Sequence, residues 1–191
     1  MIQPNDMTLF LTLIALAALL GVALLFSGCA GYDPNDPNLP QTVAQVDLER
    51  YVGKWYEIAR YDNRFQKDCV ASTAEYVFRP DGKIEVINRC RKETVDGKLK
   101  ESRGKAWVVD KTSNARLKVQ FFWPFSGDYW IIDLDEENYS YAVVGHPSRK
   151  YLWVLARTPQ LDEAVYTGIL QRLEAQQYDT SRLKQYPQVA E

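Results

Sequence analysis

The sequence predicts an all-β protein: an eight-stranded antiparallel up-and-down β-barrel with one C-terminal helix packed outside. Three observations lead there. From Gly53 onward, short runs rich in Val, Ile, Tyr, Phe and Trp alternate with turn signals. The connections between runs are hairpin-length and carry no helix, so neighbouring strands must be antiparallel. Eight such strands in sequence order close best on themselves, because closure removes both unpaired edges.

The elements follow in order. Gly53–Tyr61 is the first strand; Val70–Arg79 and Lys83–Arg91 flank Pro80-Asp81-Gly82, a hairpin turn. Val95-Asp96-Gly97-Lys98 turns the chain into Leu99–Asp110, and Thr112-Ser113-Asn114 leads to Ala115–Phe121. Trp123–Gly127 reads as a loop before Tyr129–Asp133, and Leu134–Asn138 as an acidic turn before Tyr139–Gly145. His146-Pro147-Ser148-Arg149 turns into the eighth strand, Tyr151–Ala156. Thr158-Pro159 stops that strand, and Asp162 can cap a helix whose Val165, Ile169, Leu170 and Leu173 share one face. The remainder, from Tyr178 to Glu191, reads as a polar tail with room for one more helical turn.

Composition narrows the function. With 23 Lys and Arg against 25 Asp and Glu the net charge is −2, so no basic face is expected for nucleic acid. One His and three Cys leave little for a zinc site, and no metal or other cofactor is expected. His146 reads as a solvated turn residue, no Ser lies in a Gly-x-Ser-x-Gly elbow, and no Gly-rich phosphate loop follows a strand.

The N-terminus reads as a targeting segment, with no charge from Thr8 to Phe26 and small residues Ser27-Gly28 directly before Cys29. This resembles the lipobox of bacterial lipoproteins, which implies cleavage after residue 28 and acylation of the Cys29 sulfur. Ala30 after that cysteine implies, by the same resemblance, sorting to the outer membrane. Phe26 and the absence of Lys or Arg before Arg50 keep two alternatives open. One is an uncleaved anchor, for which ~20 apolar residues suffice; the other is a secreted soluble chain. Residues 29–46, dense in Pro and Asn, read as an acylated cysteine followed by a flexible tether, and 47–191 as the barrel domain.

Gly53-Lys54-Trp55 on the first strand, the lone basic Arg157 past the eighth, and the trailing helix together resemble the lipocalin family. The stretches 51–60, 121–125 and 151–159 are similar to its bacterial outer-membrane lipoproteins of the Blc type. Glu136-Glu137-Asn138 departs from the family's middle motif and keeps only an acid. The resemblance implies that Gly53, Trp55 and Arg157 close the barrel floor, with the guanidinium across the indole, and are not catalytic.

The envelope compartment favours a bridge between Cys69 and Cys90, which the hairpin at Asp81-Gly82 brings within feasible reach. If Arg157 closes the floor, Trp153 and Leu155 share its parity and point inward. Val143 then lies nearly opposite Trp153, which places Val143 and Tyr141 on the inner face as well. On the sixth strand either Tyr129 and Ile131 or Trp130 and Ile132 face inward, since a one-residue slip swaps faces. Loops Asp62–Lys67 and Trp123–Gly127 frame the open end and carry Arg64 and Phe125, suited to a head group above an apolar throat. The expected function is binding, storage or transport of a lipid or other hydrophobic small molecule. The lipid class expected by resemblance is fatty acids or lysophospholipids, handled by a membrane-anchored protein of the bacterial envelope. The alternatives are an enzyme acting on an apolar substrate and a structural lipoprotein with a filled barrel.

Overall fold

The computed structural model describes residues 36–189. The expected leader and Cys29 lie outside the described residues. Residues from Asn38 onward form one compact unit, and the segment 38–46 is no tether. It runs along the barrel, with Val43 N–H donating to Ile131 O and Val46 N–H to Ser113 O, and with Pro40 and Val46 buried. Apolar Leu39, Val43 and Val46 gain more by covering the sheet than the Pro and Asn residues before them.

Asp47 caps a single helical turn, α1 (Leu48–Tyr51), by accepting from Glu49 and Arg50 N–H. Eight strands follow: β1 (Gly53–Tyr61), β2 (Cys69–Phe78), β3 (Ile84–Lys92), β4 (Leu99–Val108), β5 (Arg116–Phe122), β6 (Phe125–Leu134), β7 (Tyr141–Gly145) and β8 (Leu152–Ala156). Each pairs antiparallel with the next, and β1 pairs with both β8 and β2, so the sheet closes into the expected barrel. β6 starts four residues before the expected boundary, because the connection from β5 is a tight turn with Phe122 opposite Phe125. Helix α2 (Glu163–Ala175) lies outside, capped by Asp162 as the sequence implied.

Inner and outer faces follow from two separate apolar clusters. The interior holds Trp55, Tyr76, Val86, Ala106, Leu117, Ile131, Ala142, Val144 and Leu155. The second cluster lies between the sheet and α2 and includes Trp130, Ile132, Val143, Val154, Ile169 and Leu173.

The barrel is split along one side. β1 pairs with β2 only over Gly53–Tyr56 and Thr73–Tyr76. Beyond that point the gap is filled by the chain's C-terminus, which is not a polar tail. Tyr178 is buried, and β9 (Leu183–Gln185) pairs with Ala59–Tyr61 of β1. Pro187 O then accepts from Ala71 N–H of β2, so this strap is bonded to both sides of the split. A third strand can enter there because β2 carries a bulge between Val70 and Thr73, with Ala71 at φ 47°.

The floor is closed by Trp55 and Arg157. The guanidinium carbon lies 3.7 Å from the indole centroid, and the indole N–H donates to Tyr51 O at 2.8 Å. Arg157 also donates to the carbonyls of Arg50, Tyr51, Val52 and Lys54, at 2.6 to 3.1 Å. Gly53 precedes them at φ 96°, a conformation that a side chain would strain. We expect Trp55→Ala to cost about 3–5 kcal/mol, the range for emptying a large buried aromatic site. Arg157→Ala should cost less, and urea unfolding of the double variant should give a loss smaller than the sum of the two. Additive losses would show that the two side chains act independently.

Candidate functional site

The barrel interior is apolar below and polar at its throat. Near the floor, Tyr51 of α1, Tyr76 of β2 and Tyr129 of β6 meet through their hydroxyls, at 2.7 Å and 2.8 Å from Tyr129. Burial raises all three phenols above their ordinary range, Tyr76 to about 12, so they stay neutral at physiological pH. Around them Ile84, Val86, Ala106, Leu117 and Val119 line a chamber of about 10 Å³, room for roughly one water.

Of the expected lining residues, Tyr129, Trp153 and Leu155 belong to the interior cluster, and β6 therefore adopts the Tyr129/Ile131 alternative. Tyr141 and Val143 do not line the lumen. Val143 is buried under α2, and the Tyr141 hydroxyl accepts from Arg172 of that helix at 3.0 Å. The turn between β7 and β8 sets Trp153 opposite Val144 rather than Val143. That one-residue shift exchanges the faces of the whole strand, bringing Ala142 and Val144 inside.

Arg64 and Phe125 stand at the rim and are exposed. The Arg64 guanidinium lies over the neighbouring Phe65 ring, 5.0 Å from its centroid. Phe125 sits on the β5–β6 hairpin beside Phe122 and Trp123, all three at least 76% exposed. A ladder of rings enters the throat: Phe65 and Tyr151 have centroids 6.0 Å apart, and Tyr151 stacks on Trp153, also at 6.0 Å.

The throat itself is a polar network. Glu57 and Arg60 are both buried on β1, and a bulge between Glu57 and Ala59 lets both side chains meet on the inner side. Arg60 Nη1 donates to Glu57 Oε1 at 2.5 Å, and Nη2 to Cys69 O at 2.8 Å. Gln66, from the helical turn Arg64–Gln66, reaches over this pair. Its Nε2 donates to Glu57 Oε2 at 2.6 Å, and its Oε1 accepts from Trp153 Nε1 at 2.8 Å. Asn63 holds Gln66 from the loop side at 2.9 Å. From outside, the Tyr186 ring of the strap lies 3.6 Å from the Arg60 guanidinium carbon, beside an open cleft of about 660 Å³. The Cys69–Cys90 disulfide is present and fastens the start of β2 to the end of β3 at this level. His146 is only partly exposed, and its Nδ1 accepts the Ser148 backbone N–H at 3.1 Å, bracing its own turn.

Gln66 carries no sequence signal; it lies in a polar loop, and only folding sets it against Trp153. Glu57 and Arg60 are hidden for another reason. At i and i+3 on a regular strand they would face opposite sides, and the bulge is what unites them.

Desolvation is the largest influence on Glu57 and raises its carboxyl pKa above 4.5, against the lowering effect of Arg60 and Gln66. A native pKa above the unfolded value means that the folded state holds the proton more tightly. That contribution is fully present below the unfolded pKa and is lost as pH rises through the native one. The stability of the parent protein minus that of Glu57→Gln should therefore fall as pH rises from 4 to 7. Urea midpoints across that range check it; a rising difference would refute it.

A family model described as a lipocalin-like domain matches residues 46–188. The chain is 41% identical over 161 residues to the outer membrane lipoprotein Blc of Vibrio cholerae serotype O1, covering 84% of this chain and 91% of that protein. It is 39% identical over 157 residues to temperature-induced lipocalin-1 of Arabidopsis thaliana, covering 78% and 82%. Insecticyanin from the tobacco hornworm Manduca sexta superposes with a TM-score of 0.64 at 20% identity, covering 83% of this chain and 87% of that one. This chain belongs to the lipocalin family.

Proposed function

We propose that this protein binds single-chain lipids, of the fatty-acid or lysophospholipid class, in the barrel lumen and stores or ferries them at the bacterial envelope. The observation that carries the reading is the ring ladder from Phe65 through Tyr151 to Trp153, which leads into an interior walled by aliphatic and aromatic side chains. Val119, Phe121, Tyr129 and Trp153 pack on that interior yet are not fully buried. A methylene moved there from water gains ~0.8 kcal/mol. The exposed Phe122, Trp123 and Phe125 beside the mouth suit contact with a lipid surface, where aromatic rings favour the interface. Acylation at Cys29 supplies the anchor in this reading, supported by the lipoprotein names of the bacterial relatives.

The chamber of about 10 Å³ favours a second reading, a structural lipoprotein whose barrel is filled. Binding measurements separate the two. A fluorescent single-chain amphiphile should bind saturably and be displaced by unlabelled lipid. Val119→Trp should abolish that binding by filling the chamber, at a stability cost of about 1–3 kcal/mol. Val143→Ala, which empties space under α2 instead, should lower stability and leave affinity unchanged. A folded Val119→Trp protein that still binds as before would place the lipid outside the lumen, and a parent protein that never binds would leave the filled barrel. For the anchor, Cys29→Ser should abolish incorporation of labelled palmitate and release the protein from membranes; unchanged membrane retention would refute the lipidation.

A further inference from the structure

Gln66 bridges the two walls of the throat. Its carboxamide sits between a donor and an acceptor that are both fixed by the barrel wall. Trp153 Nε1 on β8 gives a hydrogen bond to the amide oxygen at 2.8 Å, and Glu57 Oε2 on β1 takes one from the amide nitrogen at 2.6 Å. Glu57 and Arg60 together carry no net charge, and the pair is shielded by the Tyr186 ring on one side. Gln66 spans the throat between β1 and β8 above the small chamber of about 10 Å³. An acyl chain enters only if Gln66 leaves, and its departure strips Trp153 Nε1–H of its acceptor and one Glu57 oxygen of a donor. A buried polar group left without a partner is costly. The entering molecule must therefore replace both bonds.

We propose that the Gln66 side chain is a built-in stand-in for the ligand's head group, and that the throat selects a single-chain lipid ending in an uncharged donor–acceptor pair. A primary amide, a neutral carboxyl, or the hydroxy-ester of a monoacylglycerol unit has this chemistry. The ester of such a unit faces Trp153, its free hydroxyl faces Glu57, and any further substituent stays outside the mouth. A carboxylate fails because it has nothing to donate and adds a second negative charge against Glu57. Residues 63–67 swing out on loading, giving up the side-chain bonds of Gln66, the bond from Arg60 to its backbone carbonyl at 3.4 Å and the ring contact of Phe65 with Tyr151, while Asp62 stays held by Lys184 and Tyr186 and Asp68 by the backbone of Glu93. This inference rests on the lumen being the lipid site.

The test uses three probes of equal chain length: dodecanamide, N,N-dimethyldodecanamide and dodecanoate at neutral pH, each displacing a fluorescent single-chain amphiphile. Dodecanamide should bind about tenfold or more tightly than the other two, the discrimination expected when a buried polar group loses its partner. Gln66→Ala, first shown to be folded by its urea midpoint, should tighten dodecanamide binding about tenfold, because the competing closed state is lost. A merely structural Gln66 would leave affinity unchanged or lower it. In the parent protein, hydrogen exchange at residues 63–67 should quicken on loading with dodecanamide. Saturable but equal affinity for all three probes would keep the lumen site and overturn the head-group assignment. Unchanged loop exchange on loading would overturn the stand-in role, and no binding of any probe would overturn both this inference and the lumen reading.

Discussion

The rest of the barrel hangs on the contact between Arg157 and Trp55. A cation over an indole face is worth roughly 0.5–2 kcal/mol depending on desolvation, which alone would not organise a floor. The same guanidinium also gathers four carbonyls from residues 50–54, three of which stand where α1 ends and β1 begins. These are carbonyls that a helix terminus leaves without intrahelical donors. One side chain thus satisfies the end of α1, seats Trp55 and ties the end of β8 to the start of β1. The hydroxyl cluster of Tyr51, Tyr76 and Tyr129 extends the tie, joining α1 to β2 and β6 across the interior.

The opposite end is organised by the opposite economy of bonds. Where β1 and β2 part company, their backbone groups would face an open split. The strap of β9 and the residues after it supplies the missing partners on both sides. It also brings the Tyr186 ring over Arg60, and Tyr186 and Lys184 share the carboxylate of Asp62. A buried Glu–Arg pair contributes little net stability, because desolvation offsets the attraction. Its value here is positional: it fixes a charge-neutral acceptor and donor set at the level where Gln66 and Trp153 meet.

Floor and throat therefore differ in how readily they can yield. The floor is held by bonds from a single half-buried cation to backbone that cannot leave without unfolding α1. The throat is held by one neutral carboxamide on an exposed loop, with bonds that another donor–acceptor pair can replace. A barrel closed in this way can open at one end only, and the ring ladder beside Gln66 marks that end.

Much of this was legible in the residues themselves. Turn chemistry placed the strands, because Pro80-Asp81-Gly82 and its counterparts admit few backbone conformations. Parity on β8 placed Trp153 and Leu155 inside, because β8 pairs with β7 without interruption and the bulge opposite it lies in β1, so the alternation of β8 itself is kept. The disulfide partners were legible from the hairpin and the compartment. Tertiary structure alone decided the faces of β7, where a one-residue difference in the turn sends Val143 and Tyr141 to α2 and brings Ala142 and Val144 inside. It alone united Glu57 with Arg60 through a bulge, converted the C-terminal tail into a strap, and set Gln66 against Trp153. The reason is common to all four. Local sequence fixes the period of a strand, but register, bulges and long-range pairing are fixed by which partner surface is available.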